Sequence, residues 1–494
     1  MRTHVTTLAL IGALLLSGTA NARPNLSSGE FRGLKKEIGK ALKLGQYTTV
    51  ATKIRAMGKD DSKRAIDYIC SIAKVPDAET YNAGMEAVAG MRSDEAQDHI
   101  TKKLAKGGSA VGKMLLVDAM AERNDDFAGR ALGVAVTDKQ AEVQRAAISA
   151  IKRKKMKHAV DGLIGLLERL EKRDADGLNY SLVQETLTAI TNESFEKAED
   201  WRNYWEPRKQ SFRPTTGRPT KKAGGTSARK RPRFFGSELK SNRLVFVIDT
   251  SGSMSAADPG GPTGGAGAGG GARTPTGGGK AKPAPVSSSR VRIERAKFQL
   301  IQVIDALPPK ARFTILAYSG VTVSGPGADA AYGKDPKLLP PKLGGFEWLK
   351  IWRPKLMAAN AKSFVKGLKA NGGTFTLNAL RHAFKISGAD TVVLLSDGYP
   401  NDFDREQNKQ LDGDEILKEV KAMNRMRRLV IDTFGFDASG PAGGKNPFAR
   451  GKRRGGTGGG LGPGGFGGGG GMGGLSGFMK RLAGQNGGGY TQIR

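Results

Sequence analysis

Two hydrophobic rhythms divide this chain. From about residue 30 to 205, apolar residues recur at three- and four-residue intervals, the spacing of amphipathic helices. In AEVQRAAISAIKRKK (141–155), Val143, Ala146, Ala147, Ala150 and Ile151 share one face; in HAVDGLIGLLERLE (158–171), Val160, Leu163, Leu166 and Leu167 do the same. Residues 78–106, 109–136, 140–171 and 178–205 each read as helix, turn, helix. A unit of that size cannot bury its apolar face alone, so the units are expected to stack as an α-solenoid. Trp201 and Trp205, four apart in WRNYW, are placed to close the core of the last pair.

After Asn242 the rhythm changes. LVFVI (244–248) is apolar throughout, as a strand buried on both faces must be. RIERAKFQLIQVIDALPP then places Ile293, Ala296, Leu300, Ile304 and Leu307 on one helical face and stops at Pro308 and Pro309. Further strands are expected at 312–319, 390–395, 428–436 and 490–493, with helices at 358–369, 414–423 and 477–483. Such alternation predicts right-handed crossovers and a doubly wound, Rossmann-like α/β sheet. The fold class is therefore α followed by α/β, in several domains.

Composition sharpens this division. The net charge is +32, and the excess among the 70 glycines sits in two tracts, 256–289 and 437–477, too poor in hydrophobes to fold alone. The opening MRTHVTTLALIGALLLSGTANA has a basic start, an apolar core from Leu8 to Leu16 and a small-residue end. It reads as a secretory signal peptide over residues 1–22, which predicts export to a periplasm, cell envelope or extracellular space. No later segment is long and apolar enough to span a bilayer. Cys70 is the only cysteine, so no intrachain disulfide is available, and in AIDYIC it reads as a small buried hydrophobe. Residues 207–241 are rich in proline, glycine, lysine and arginine and read as a solvated basic linker. The alternative is contact with an anionic surface or acidic glycan; nucleic acid is not an expected partner for an exported chain.

Candidate chemistry sits where the first strand of the second half ends. VFVIDTSGSMS (245–255) stops on Asp249 and follows it with Ser251, Ser253 and Ser255. A serine-rich exit turn is one reading, and a cradle of hard oxygen ligands is the other. Ligands in such sheets bind at the carboxyl ends of the strands. Asp397, in VVLLSDGYPND, ends another buried strand, and Thr374 follows two glycines in NGGTFTLNAL. Two carboxylates and three hydroxyls form an all-oxygen set suited to Mg2+ or Mn2+. Ser255 reads as a cap on the exit turn, the acidic run NDFDREQ (401–407) as solvated, and His382 as a packing or surface residue.

Asp249-x-Ser251-x-Ser253, Thr374 after GG, and Asp397 in LSDG resemble the metal-ion-dependent adhesion site (MIDAS) of von Willebrand factor type A (VWA) domains, with residues 242–494 corresponding to the domain. The two glycine tracts would be insertions in it. The helical region, 30–206, more loosely resembles HEAT-type repeats. The first resemblance implies that Ser251, Ser253 and Thr374 coordinate the cation through their hydroxyls, and Asp249 and Asp397 directly or through water. It also implies a protein partner whose acidic residue completes the coordination. The expected function is that of an exported, non-enzymatic, cation-dependent binding, adhesion or scaffold protein. The rival is a structural envelope protein held to anionic polymers by its basic linker, with the metal only stabilising the fold. An enzyme is not expected: the sequence offers no serine-histidine-acid pattern, histidine metal triad or phosphate loop.

Overall fold

A computed structural model describes residues 25–214, 231–258, 287–308, 310–319, 354–404, 409–436 and 474–493, with short strands at 337–338 and 349–350. The expected signal peptide, residues 215–230 of the expected linker and most of both glycine tracts lie outside the described residues. The chain divides into two compact units, Met1–Ala131 and Leu132–Arg494.

The first unit is built of α1 (Ser28–Lys43), α2 (Tyr47–Met57), α3 (Lys63–Ile72), α4 (Ala78–Ala89), α5 (Asp94–Lys106) and α6 (Ala110–Glu122), and the division falls within α7 (Asp126–Ala135). Local chemistry starts these helices: Ser27, Asp77, Ser93 and Ser109 each accept a hydrogen bond from a backbone N–H three residues on. Ile38, Ile54, Met57, Ile66, Ile69 and Ile100 are buried between them. Polar pairs bridge successive helix pairs at a recurring sequence separation. Thr48 donates to Glu79 and Arg55 to Glu86, while the Asp61 carboxylate accepts from the Arg92 and Ser93 amides. Cys70 is buried, and burial pushes its thiol up to about 12, in keeping with a packing role.

The second unit opens with α8 (Ala141–Lys154), α9 (Val160–Arg173), α10 (Leu178–Thr191) and α11 (Ala198–Trp205). Trp201 and Trp205 are buried here, their indole N–H groups donating to Gln184 and Asp161. The sheet follows: β1 (Arg243–Asp249), β2 (Arg312–Tyr318), β3 (Thr391–Ser396), β4 (Val430–Phe436) and β5 (Tyr490–Ile493), all parallel, in the order β5-β4-β3-β1-β2. The strands at 337–338 and 349–350 pair antiparallel to β2.

Alternation along β1 sends side chains to both faces. Leu244, Phe246 and Ile248 pack with Leu300 and Val303 of α12 (Arg292–Ala306) and with Val365 of α13 (Pro354–Lys366). Val245 and Val247 pack instead with Leu380 of α14 (Thr376–Lys385), Val420 of α15 (Gly413–Arg427) and Leu482 of α16 (Leu475–Gln485). This two-sided burial is why the strands are apolar throughout.

The amino-terminal ends of the strands meet the helices of the same unit. Arg145 of α8 is buried and donates to the carbonyls of Arg428 and Arg427 at 2.9 and 3.2 Å. Ser181 of α10 donates to the Lys240 carbonyl, and Glu185 pairs with Lys152 and Lys240. Here the basic linker ends earlier than its composition suggests. Phe234 and Leu239 are buried, and Phe234 sets its ring edge-on against Phe246 and Phe434. These two apolar side chains offer more apolar area than the surrounding charge can keep in water.

Candidate metal centre

From β1 the chain runs outward to β2 and then returns to β3 on the other side of β1. The β1/β3 boundary is therefore the switch point, where the loops leaving the strands part and open a crevice. Asp249 is the last residue of β1 and is wholly buried. Its Oδ1 accepts from the Ser251 amide at 2.7 Å and its Oδ2 from Ser396 Oγ at 2.6 Å. Ser251 Oγ lies 3.0 Å from Ser253 Oγ, which donates to Asp397 Oδ1 at 2.6 Å. Ser255 Oγ turns away to the Gly252 carbonyl, as a cap on the exit turn should.

The Thr374 loop is stitched to both neighbours. The Gly252 amide donates to the Gly372 carbonyl and the Asn371 amide to the Thr250 carbonyl, each at 2.8 Å. Gly372 has φ +81°, a left-handed conformation that a side chain would strain. The Asn401 amide donates to the Thr374 carbonyl at 2.7 Å, and the Thr374 amide returns to Asn401 Oδ1. The Thr374 hydroxyl lies over Gly398: a Cβ there would fall 2.8 Å from Thr374 Oγ1. All five residues singled out in the sequence thus converge on one crevice.

The electrostatics of this crevice are uneven. Burial, reinforced by the charge of Asp397, pushes the Asp249 carboxyl up to about 7, although hydrogen bonds from Ser396 and Ser251 favour its ionised form. Among the described residues no lysine, arginine or histidine forms an ion pair with Asp249. Tyr318 is raised well above the usual phenol range, by burial and then by Asp249. Asp397 is compensated: Arg292 Nη1 donates to its Oδ2 at 2.8 Å.

The donors fit a small, hard divalent cation. Among the described residues, a buried carboxylate with no basic side chain paired to it lies among hydroxyls and a second carboxylate. Among the described residues no group of three or more histidine, cysteine, aspartate or glutamate side chains gathers for a metal.

Several supporting residues escape a reading of the sequence. Asp402 belongs to the acidic run expected to be solvated, yet it is buried. Its carboxylate accepts from the Leu377 and Asn378 amides at 3.0 and 3.2 Å, capping the start of α14 just beyond Thr374. Burial still pushes it up to about 6. Ser396 stands beside Asp397 in LSDG and was legible as a further hydroxyl. Arg292 was not, because the first glycine tract separates it from the motif.

No protein-family model matches this chain, and no curated protein does. Solved structures do. A von Willebrand factor type A protein from Catenulispora acidiphila aligns over 51% of this chain and 38% of its own, with 18% identity and a TM-score of 0.29. An aerotolerance-related membrane protein from Bacteroides fragilis, carrying multiple mutations to serine, aligns over 51% of this chain and 90% of its own, with 14% identity and a TM-score of 0.27. Each alignment takes in about half of this chain, and the first is to a structure described as von Willebrand factor type A. Among the described residues no helix is long and apolar enough to cross a membrane.

Proposed function

We propose that this chain is an exported, non-enzymatic binding protein whose sheet edge holds Mg2+ or Mn2+ through Asp249, Ser251, Ser253, Thr374 and Asp397. The observation that carries this reading is Asp249: a buried carboxylate, set among hydroxyls at the switch point, with no basic side chain of the described residues paired to it. A bound cation would supply an electrophilic position for a carboxylate oxygen of a protein partner.

The chain's own residues prepare that position. The Ser251 amide and Ser396 hydroxyl hold both Asp249 oxygens in place, so the carboxylate is oriented before any cation arrives. Ser253 fixes Asp397 Oδ1, and Asn401 with Asp402 holds the Thr374 loop. Three of the five donors are neutral; direct coordination by both Asp249 and Asp397 would cancel the charge of the ion, so an attraction for an anion requires one of these carboxylates to act through water. The helical run, with its recurring polar pairs, is read as a HEAT-like repeat region. The first 22 residues support export.

The test is capture of envelope proteins on the immobilised full-length chain, with and without EDTA, against Thr374→Ala. Expected is capture that EDTA abolishes and that Thr374→Ala weakens at saturating Mg2+ while folding is retained. Capture that survives EDTA but dissolves in salt would instead favour the basic linker as the recognition element.

A further inference from the structure

Arg292 opens α12 and lies outside the five-residue set, yet it is held in the same crevice. Its guanidinium spans two carboxylates: Nη1 donates to Asp397 Oδ2 at 2.8 Å and Nε to Asp258 Oδ1 at 2.9 Å. Asp397 therefore turns one oxygen to Ser253 and the other to Arg292. Asp258 also pairs with Arg295.

Backbone contacts fix this arrangement. The Asp258 amide donates to the Arg290 carbonyl, and Arg290 Nε returns to the Asp258 carbonyl, each at 3.0 Å. Ala257 bridges Val291, and the Arg292 amide donates to the Ala256 carbonyl at 3.0 Å. These contacts form a clasp at the foot of the first glycine tract. The guanidinium is held from two sides and does not swing away freely.

Its charge changes the arithmetic of the site. Ionised, Asp249, Asp258, Asp397, Arg292 and Arg295 together carry one net negative charge, and a divalent cation turns this into one net positive charge. Without Arg292 the same loaded set would be neutral. We propose that Arg292 sets the charge of this site: it weakens cation binding and leaves the loaded site positive toward an incoming carboxylate. This rests on the cation-site reading above. A purely positioning role has the opposite signature, because a loosened Asp397 would bind cation less well.

The test uses the full-length protein with Mn2+ alone, followed by acetate as the carboxylate probe on the Mn2+-loaded protein. Calorimetry reads the first step and water-proton relaxation of bound Mn2+ the second. Arg292→Gln is expected to bind Mn2+ about tenfold or more tightly than wild type and acetate several-fold more weakly. Asp258→Asn, which removes a negative charge beside Arg292, is expected to weaken Mn2+ binding, and Arg292→Lys to stay near wild type in both. In EDTA, Arg292→Gln should melt several degrees lower because a buried carboxylate loses its partner, and adding Asp397→Asn should restore the loss. If wild type binds Mn2+ and Arg292→Gln binds it equally or less well, the charge-setting role is overturned while the cation site stands. If wild type binds no Mn2+, both fall.

Discussion

The two ends of the sheet each bury an aspartate and resolve the problem differently. At the amino-terminal end, Asp390 accepts from Ser241 Oγ at 2.5 Å and Thr391 Oγ1 at 3.1 Å. Burial raises its carboxyl, and the buried Arg145 is the largest influence pulling it back down. At the carboxyl end, Asp249 receives a hydroxyl and an amide, and the charge that influences it most is the like charge of Asp397. The first edge carries a permanent cation built into α8, and that edge is architecture. At the second, no lysine, arginine or histidine of the described residues pairs with Asp249, and on the proposal above a cation would offset its charge. A buried carboxylate is therefore informative about function mainly through what the chain fails to pair with it.

The comparison predicts opposite signs for substitutions at the two ends. Arg145→Met should be the most damaging, costing about 3 kcal/mol in urea unfolding, because it strips the carbonyls of Arg427 and Arg428 and removes the strongest opposite charge acting on Asp390. A loss below about 0.5 kcal/mol would mean that this edge is not held by its arginine.

Asp249→Asn should do the reverse in EDTA. The folded carboxyl sits near 7 against an ordinary value of 3.8, so the native state holds its proton more tightly than the unfolded chain. Stability of the chelated wild type should therefore fall as pH rises from about 4 to about 7, and the variant should lack that slope. At about pH 8 the variant is expected to be more stable by on the order of 2 kcal/mol. A destabilised variant would show that the ionised carboxylate already has adequate partners in the protein.

Much of this contrast was legible beforehand, but only on one side. The uniformly apolar strands and the flanking helices follow from short-range patterns of period and stop signals, and the five candidate donors from three short segments that the resemblance to the adhesion site joins. Arg145 sits among alanines on a basic helix, where it reads as a solvated charge. Only tertiary packing turns it toward the carbonyls that end α15. Phe234 was hidden by the charges around it, and Asp402 by acidic neighbours that suggested solvent. Arg292 could be tied to Asp397 only once the clasp at Asp258 and Arg290 was in view. Long-range partners of charged residues leave no local trace.

The smallest expected effect concerns the shape of the crevice. Gly398→Ala would press a methyl group toward Thr374 Oγ1, so Thr374 must turn or shift. The expected result is a several-fold loss of Mn2+ affinity with a stability change of about 1 kcal/mol or less. Unchanged affinity would mean that the Thr374 hydroxyl is not among the donors.

The central claim is that Asp249 is ionised for, and by, a divalent cation. The most direct measurement is Mn2+ calorimetry near pH 7 in two buffers of different ionisation enthalpy, on wild type and Asp249→Asn. The account predicts one Mn2+ per wild-type chain, bound with partial release of a proton from the Asp249 carboxyl, and no binding at this site in the variant. Mn2+ binding of equal affinity in both proteins, or none in the wild type, would contradict it.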